Sequence, residues 1–220
     1  MEVRAEVAGE AIVSAARHLF EAGVMSHAGH ANLSARLGAD RFALTTTGVV
    51  RDLRADQVAV VTTDAEVLDG ALSADNAEIV SMHAVVYRAR PELGAVIHTH
   101  SPAATAFALA QRELPCRAEP LLRFGQAEAV PVVAWGPRGS EVSVRGIAAA
   151  LDEHPSTSAV LLANHGLLAF GADPMATARL VVAIEESAEA ELAARALGGA
   201  VDLPAGALEA VRESMALVRS

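Results

Sequence analysis

A chain of 220 residues that is 52% hydrophobic, with mean hydropathy +0.33, holds enough apolar material for one sizeable core and reads as one domain over residues 1–220. Its formal net charge of −10 leaves no surplus of cations for a phosphate backbone, so nucleic acid is not an expected partner. All 17 basic residues are arginine, which excludes every mechanism that needs a lysine amine: Schiff-base aldol chemistry, a pyridoxal-phosphate linkage, a Walker lysine.

No apolar run approaches the roughly 18 to 20 residues of a bilayer span, and Met1 to Glu6 lacks a basic stretch followed by an apolar one. No membrane association is expected, and the location expected is cytoplasmic. Cys116 has no second cysteine with which to form an internal disulfide, which fits a reducing compartment.

The first predicted element is a helix from Val7 to Ala22, where Ala11, Ile12, Ala15, Ala16, Leu19 and Phe20 recur at helical spacing and Gly23 stops the run. The small, polar stretch Ser26 to Arg36 reads as a loop. It is either a donor-rich surface for a ligand or a turn capped by Asn32 and Ser34. Arg41 to Thr45 alternates as a strand does. The following Thr46-Thr47-Gly48 places hydroxyls beside a glycine, as an anion-accepting turn would, although threonines are also ordinary strand residues.

Asp52 to Asp69 reads as a helical turn and then a hairpin, Val58–Thr62 against Glu66–Leu68, with a polar tip between them. Asn76 to Arg90 is an amphipathic helix ended by Pro91, with Ile79, Met82, His83 and Val86 on its inner stripe. Glu78 lies in its first turn, where the helix dipole or a capping box with Asp75 would account for a carboxylate.

Leu93 to Ile97 is a short, apolar, β-branched run after Pro91 and reads as a buried strand, with Pro102 closing the segment. Side chains two apart on a strand share a face, so His98 and His100 point the same way. Two imidazoles on such a rigid strand end can bind one metal ion, or can simply be hydrogen-bonded to each other. A helix from Ala103 to Ala110 follows, interrupted at Leu114-Pro115-Cys116, and Arg123, Phe124 and Gln126 come next.

Val130 to Ala134 reads as a strand, Trp135 to Gly139 as a loop, and Ser140 to Leu151 as a helix. The strand Ala159 to Ala163 ends in Asn164-His165-Gly166, repeating the design of a histidine beside a glycine at the end of an apolar strand. Pro174 to Leu197 is a long helix whose acidic face, Glu185, Glu186, Glu189 and Glu191, is expected to meet solvent or another subunit.

Five stretches, in this order, carry a resemblance to the class II aldolase/adducin family. They are Asn32-Leu33-Ser34-Ala35-Arg36, Thr46-Thr47-Gly48, Glu78 on a helix, His98-Thr99-His100-Ser101-Pro102 and Leu162-Ala163-Asn164-His165-Gly166, and the likeness covers Val7 to Leu197. The resemblance implies an α/β fold, a three-layer α/β/α sandwich around a central mixed, largely antiparallel sheet. It implies a divalent metal, zinc above Mn2+, Co2+ or Fe2+, on His98, His100 and His165, with Glu78 as acid/base and Asn32, Thr47 and Gly48 binding the anionic end of a substrate. It also implies a homotetramer with active sites between subunits.

Three neutral imidazoles leave an open position on zinc, the pattern of catalytic sites, and the cation would stabilise an enediolate in a protein without lysine. The expected function is therefore a metal-dependent aldolase-type lyase on a small hydroxycarbonyl compound. The alternatives are a decarboxylase, dehydratase or epimerase on the same metal site, or an adducin-like assembly domain without catalysis.

Three departures bear on the substrate. Glu78 stands twenty positions before His98, whereas the sugar-phosphate aldolases place their acidic residue nineteen before, where Ile79 stands here. One residue is about 100° of helix rotation, so Glu78 reaches a metal only if the helix start is shifted or loosened. The serine pair that holds phosphate in those aldolases is replaced by Asn76 and Ala77, and the segment of the aromatic lent by a neighbouring subunit holds Glu119 and Arg123 but no tyrosine. A phosphate is expected to be absent or differently held.

Overall fold

The computed structural model describes residues 3–137 and 140–219, so Arg138 and Gly139 of the expected loop lie outside the described residues. Helix α1 (Ala5–Glu21) buries Ile12, Ala15, Ala16 and Leu19, and Gly23, with φ of +75°, takes the left-handed conformation just beyond its end. Fully burying a side chain the size of Ile12 or Leu19 stabilises the fold by about 1.5–3 kcal/mol.

The stretch expected as a loop is largely a central strand, β1 (Ala31–Arg36), and this corrects the sequence reading. Ala31, Leu33 and Ala35 lie in the core shared with α1, while the alternate residues Asn32 and Ser34 are also buried, on the opposite face of the sheet. Those two polar side chains find partners there, so tertiary pairing overrides their weak strand propensity. Strand β2 (Arg41–Thr45) and the hairpin β3 (Val58–Thr62) and β4 (Val67–Asp69) agree with expectation, with Ala65 at φ 69° in the hairpin tip.

The single helix expected over 76–90 is two helices, α2 (Ala74–Glu78) and α3 (Val80–Ala89), interrupted at Ile79, whose φ of −97° and ψ of −2° depart from ideal helical values. The N-cap of α2 is Ser73, whose side chain accepts from the Asn76 amide, so the expected capping role of Asp75 is corrected. Strand β5 (Ala95–Thr99), helix α4 (Pro102–Ala110) and the short helix α5 (Glu119–Arg123), for which the sequence carried no assignment, lead to β6 (Val132–Val133).

Helix α6 (Glu141–Glu153) and strand β7 (Ala159–Leu162) follow. Strand β8 (Gly166–Gly171) was not foreseen: Gly166 begins a new strand rather than ending the previous one. Helix α7 (Pro174–Ala194) is followed by a last helix, α8 (Ala207–Arg219), also unforeseen.

The eight strands run in the order β4-β3-β2-β1-β5-β8-β7-β6 and pair antiparallel throughout except for β6 and β7. One face packs against α1, α4 and α7; the other packs against α3 and α6. This is the α/β fold, with helices on both sides of a mixed sheet, that the sequence led us to expect. No helix among the described residues is long and apolar enough to cross a membrane.

The acidic face of α7 is corrected in part. Glu185 is buried, 2% exposed, and its carboxylate accepts from the backbone N–H groups of Ala103 and Ala104 at 2.6 and 2.8 Å. Burial pushes its carboxyl above the ordinary value while those two bonds pull it down, and the charge meets the positive end of α4.

Candidate metal centre

Two neighbouring strands and one tight turn bring three histidines together. His98 is the fourth residue of β5, where Asn32 of β1 pairs with it on one side and Leu168 of β8 on the other. His100 follows just past the strand on the same face, and α4 starts two residues later with Pro102 in its first turn. His165 sits in the turn between β7 and β8, not at a strand end as expected, and its N–H donates to the carbonyl of Leu162.

That turn needs two special residues. Asn164 adopts φ of 57°, which an asparagine tolerates better than most residues, and its amide N–H donates to Ala108 O at 3.1 Å while its Oδ1 accepts from Gln111 Nε2 at 3.0 Å. Both contacts tie the turn to the C-terminal end of α4, the helix that begins beside His100. A Cβ on Gly166 would stand 2.5 Å from Thr99 O and 2.9 Å from His100 Cδ2. Gly166→Ala is therefore expected to displace His100 and weaken metal binding by roughly tenfold or more, a loss comparable to disturbing the surroundings of a metal ligand. A metal titration followed by calorimetry checks it, and unchanged affinity would show that the backbone absorbs the methyl group.

The imidazole rings lie edge to face or tilted, with centroids 4.7, 4.9 and 5.0 Å apart. His98 Nδ1–H donates to Leu167 O at 2.8 Å, which leaves the Nε2 lone pair turned toward His100 Nε2, 3.1 Å away. Burial, followed by the neighbouring His165 and His100, holds His98 well below the ordinary histidine range, so the ring stays neutral and ready to ligate. One ligand atom from each of the three residues lies within 4.8 Å of the others. Tetrahedral nitrogens on a cation at about 2.0–2.1 Å stand roughly 3.3–3.4 Å from one another, so a small inward movement closes the set. The donors fit a divalent cation.

Glu78 is the last residue of α2, exposed, and the break at Ile79 frees it from the helical face of α3. This break meets the condition set by its one-residue offset: the helix start is loosened. Ile79 is 3% exposed in the core, and Glu78 and Ile79 both line a cavity shared with His165, Met82, Trp135, Val144 and Leu162.

The Thr46-Thr47-Gly48 turn lies one strand from the histidines. Gly48 O accepts from Ala31 N at 2.9 Å, and Ala31 pairs in register with Thr99. Thr47 Oγ1 accepts from Val49 N, and Thr46 O accepts from Ser73 N, which joins this turn to the start of α2. Asn32 is not in a loop; it is 3% exposed on β1 with Oδ1 bonded to His83 Nε2 at 2.6 Å. Sequence reasoning placed His83 on the inner stripe and missed this bond. Its signal was there in the matching spacings, i and i+2 on a strand against i and i+4 on a helix.

The sequence profile of the family described as Class II Aldolase and Adducin N-terminal domain matches residues 10–192. The chain belongs to the class II aldolase/adducin family. Among relatives of this class II aldolase family member, a 5-methylthioribulose-1-phosphate/5-deoxyribulose-1-phosphate aldolase of Rhodospirillum rubrum is 29% identical over 183 residues, covering 83% of this chain and 79% of that one. A 3-oxo-tetronate 4-phosphate decarboxylase of Haemophilus influenzae is 29% identical over 189 residues, covering 82% of this chain and 84% of its own.

The solved structure of an L-fuculose 1-phosphate aldolase superposes with a TM-score of 0.82 at 24% identity, covering 94% of this chain and 95% of its own, and so shares the fold. The class II aldolase superfamily to which this chain belongs thus includes aldolases and decarboxylases, and dehydratases as well. Enzymes of this class use a divalent metal, and the three histidines are present to hold one.

Proposed function

We propose that this protein is a metal-dependent lyase of the aldolase type, cleaving or forming a carbon–carbon bond in a small hydroxycarbonyl compound. The observation that carries this reading is the triad His98, His100 and His165, of which His165 lines a cavity that Glu78 also lines. The same reading takes zinc as the cation and a homotetramer as the working assembly, on the strength of the family resemblance.

His98, His100 and His165 hold the cation. When bound it polarises a substrate carbonyl and serves as the electron sink that a chain without lysine otherwise lacks. In the cleavage direction Glu78 takes the proton from the hydroxyl on the carbon that leaves as aldehyde. The carbon–carbon bond breaks, and Glu78 returns the proton to the carbon left behind. Ile79, Met82, Val144 and Leu162 supply apolar walls that keep water from competing for that carbon. Asn32, Thr47 and Gly48 hold the polar end of the substrate.

A product assay on hydroxycarbonyl donors, with and without an aldehyde acceptor, tests the reading. Aldehyde release, reversed by adding aldehyde, supports it. Carbon dioxide or water as the sole small product assigns the chain to a decarboxylase or dehydratase on the same site.

The polar end is expected not to favour phosphate. Asn76 is fully buried, and its Nδ2 donates to Thr45 O at 2.6 Å, so the carbonyl oxygen of the amide must face the other way. That Oδ1 lacks a partner among the described residues and stands 3.4 Å from where a Cβ on Gly48 would be. An acceptor there repels phosphate oxygens. An unphosphorylated or carboxylate-bearing substrate is expected to keep kcat/KM within about tenfold of its phosphorylated counterpart, the scale of one hydrogen bond. Efficient cleavage of a ketose 1-phosphate that collapses when the phosphate is removed would overturn this.

A further inference from the structure

Behind the metal centre, four buried side chains form one hydrogen-bonded line that ends on Asn32. His83 and Tyr87 stand one turn apart on α3, while Asn32 and Ser34 stand two apart on β1, so the two pairs face each other. The Tyr87 hydroxyl lies 2.8 Å from Ser34 Oγ, Ser34 Oγ lies 2.8 Å from His83 Nδ1, and His83 Nε2 lies 2.6 Å from Asn32 Oδ1. None of the four is more than 3% exposed.

Counting donors sets the direction of the line. The Tyr87 hydroxyl is buried against Ser34, and leaving its proton without an acceptor is costly, so it donates to Ser34 Oγ. The proton of Ser34 then has two acceptors in reach, His83 Nδ1 at 2.8 Å and Val96 O at 3.4 Å, and the shorter contact takes it. With Nδ1 accepting, a neutral His83 carries its proton on Nε2 and donates to Asn32 Oδ1. The Asn32 amide N–H group is left for a ligand.

We propose that His83 is a positioning residue that locks the Asn32 amide with its N–H group presented to an oxygen acceptor of the substrate, beside His98. Asn32 and His98 pair in register across β1 and β5, so the two side chains leave the same face of the sheet. The opposite tautomer would present the amide oxygen instead and select a hydroxyl. Hence the proton on His83 decides whether this part of the site takes a carbonyl or carboxylate oxygen or a sugar hydroxyl. Burial pushes the His83 pKa down to about 3, so the ring keeps a single N–H near neutral pH and the polarity does not reverse.

The inference rests on the reading that Asn32 touches the substrate, and its test separates the two. The ring tautomer of His83 is read from nitrogen-15 NMR shifts of the wild-type protein, with Nε2–H expected. Binding of glycolohydroxamate, whose adjacent oxygens mimic an enediolate, is then measured on metal-loaded wild type, His83→Phe and His83→Gln. The phenylalanine variant is expected to bind about tenfold more weakly with its metal content unchanged, and the glutamine variant, which can still donate, within about threefold of wild type. An Nδ1–H tautomer, or wild-type affinity in a folded, fully metallated His83→Phe, overturns the inference. A fully metallated wild type that does not bind the hydroxamate counts against the metal-lyase reading, and the tautomer measurement then decides the inference by itself.

Discussion

Replacing His98, His100 or His165 by alanine is expected to strip the protein of bound metal and to abolish turnover. The three imidazoles converge within 4.8 Å, and removing one leaves two neutral donors and a gap that water fills. Disturbing only the surroundings of a ligand already costs roughly 10–100-fold in metal affinity, so removal of the ligand itself is expected to exceed about 100-fold. His98→Ala also frees the Leu167 carbonyl, which the ring now satisfies at 2.8 Å, so this variant is expected to lose some stability as well. Elemental analysis of the three purified variants decides the matter. Stoichiometric metal in all of them would remove the proposed centre and return the chain to a binding or assembly role.

Glu78→Gln is expected to lower turnover by roughly 10²-fold or more while metal stays bound, because an amide of the same shape cannot accept a proton. The competing role, a carboxylate that serves the local helix, is weakened by the structure. Ser73 caps α2, and Glu78 is the last residue of that helix, where a negative charge meets the negative end of the dipole. A carboxylate there is not favoured by the dipole of α2. It stands on the wall of a cavity that His165 also lines, and this supports the proton-carrying role proposed for it. Turnover and metal content are measured together on the same preparation. Near-normal activity with full metal would assign proton transfer to water or to another side chain.

Much of the site was legible because strand geometry is local. His98 and His100 share a face by the two-residue period alone, and Asn164-His165-Gly166 stands out as a histidine beside a glycine after an apolar strand, although the structure makes it a turn and not a strand end. The same locality explains the errors. Ser26 to Arg36 carries small and polar residues that look like a surface loop, yet most of its second half is the central strand β1, because His83 and Tyr87 on α3 satisfy what Asn32 and Ser34 would otherwise leave unpaired. Likewise Glu185 reads as part of a solvated stripe, yet it is buried because the N-terminus of α4, 81 and 82 residues away in sequence, needs an acceptor.

By itself the sequence determined the chemistry available to this protein: no lysine, three histidines following apolar runs, and ordered motifs whose family resemblance implies an α/β fold. Those are properties of residue type and short spacing, and they survive without knowing what packs against what. Only the tertiary structure decided that Ile79 breaks the helix and sends Glu78 to the wall of the cavity, and that β8 returns antiparallel to β5 so that Leu167 holds the His98 ring. It alone decided that Asn32 ends a buried line of hydrogen bonds. The physical reason is that a helix break and a buried polar pair are settled by what a distant segment offers in partners and space, and that information is not carried by the residues on either side.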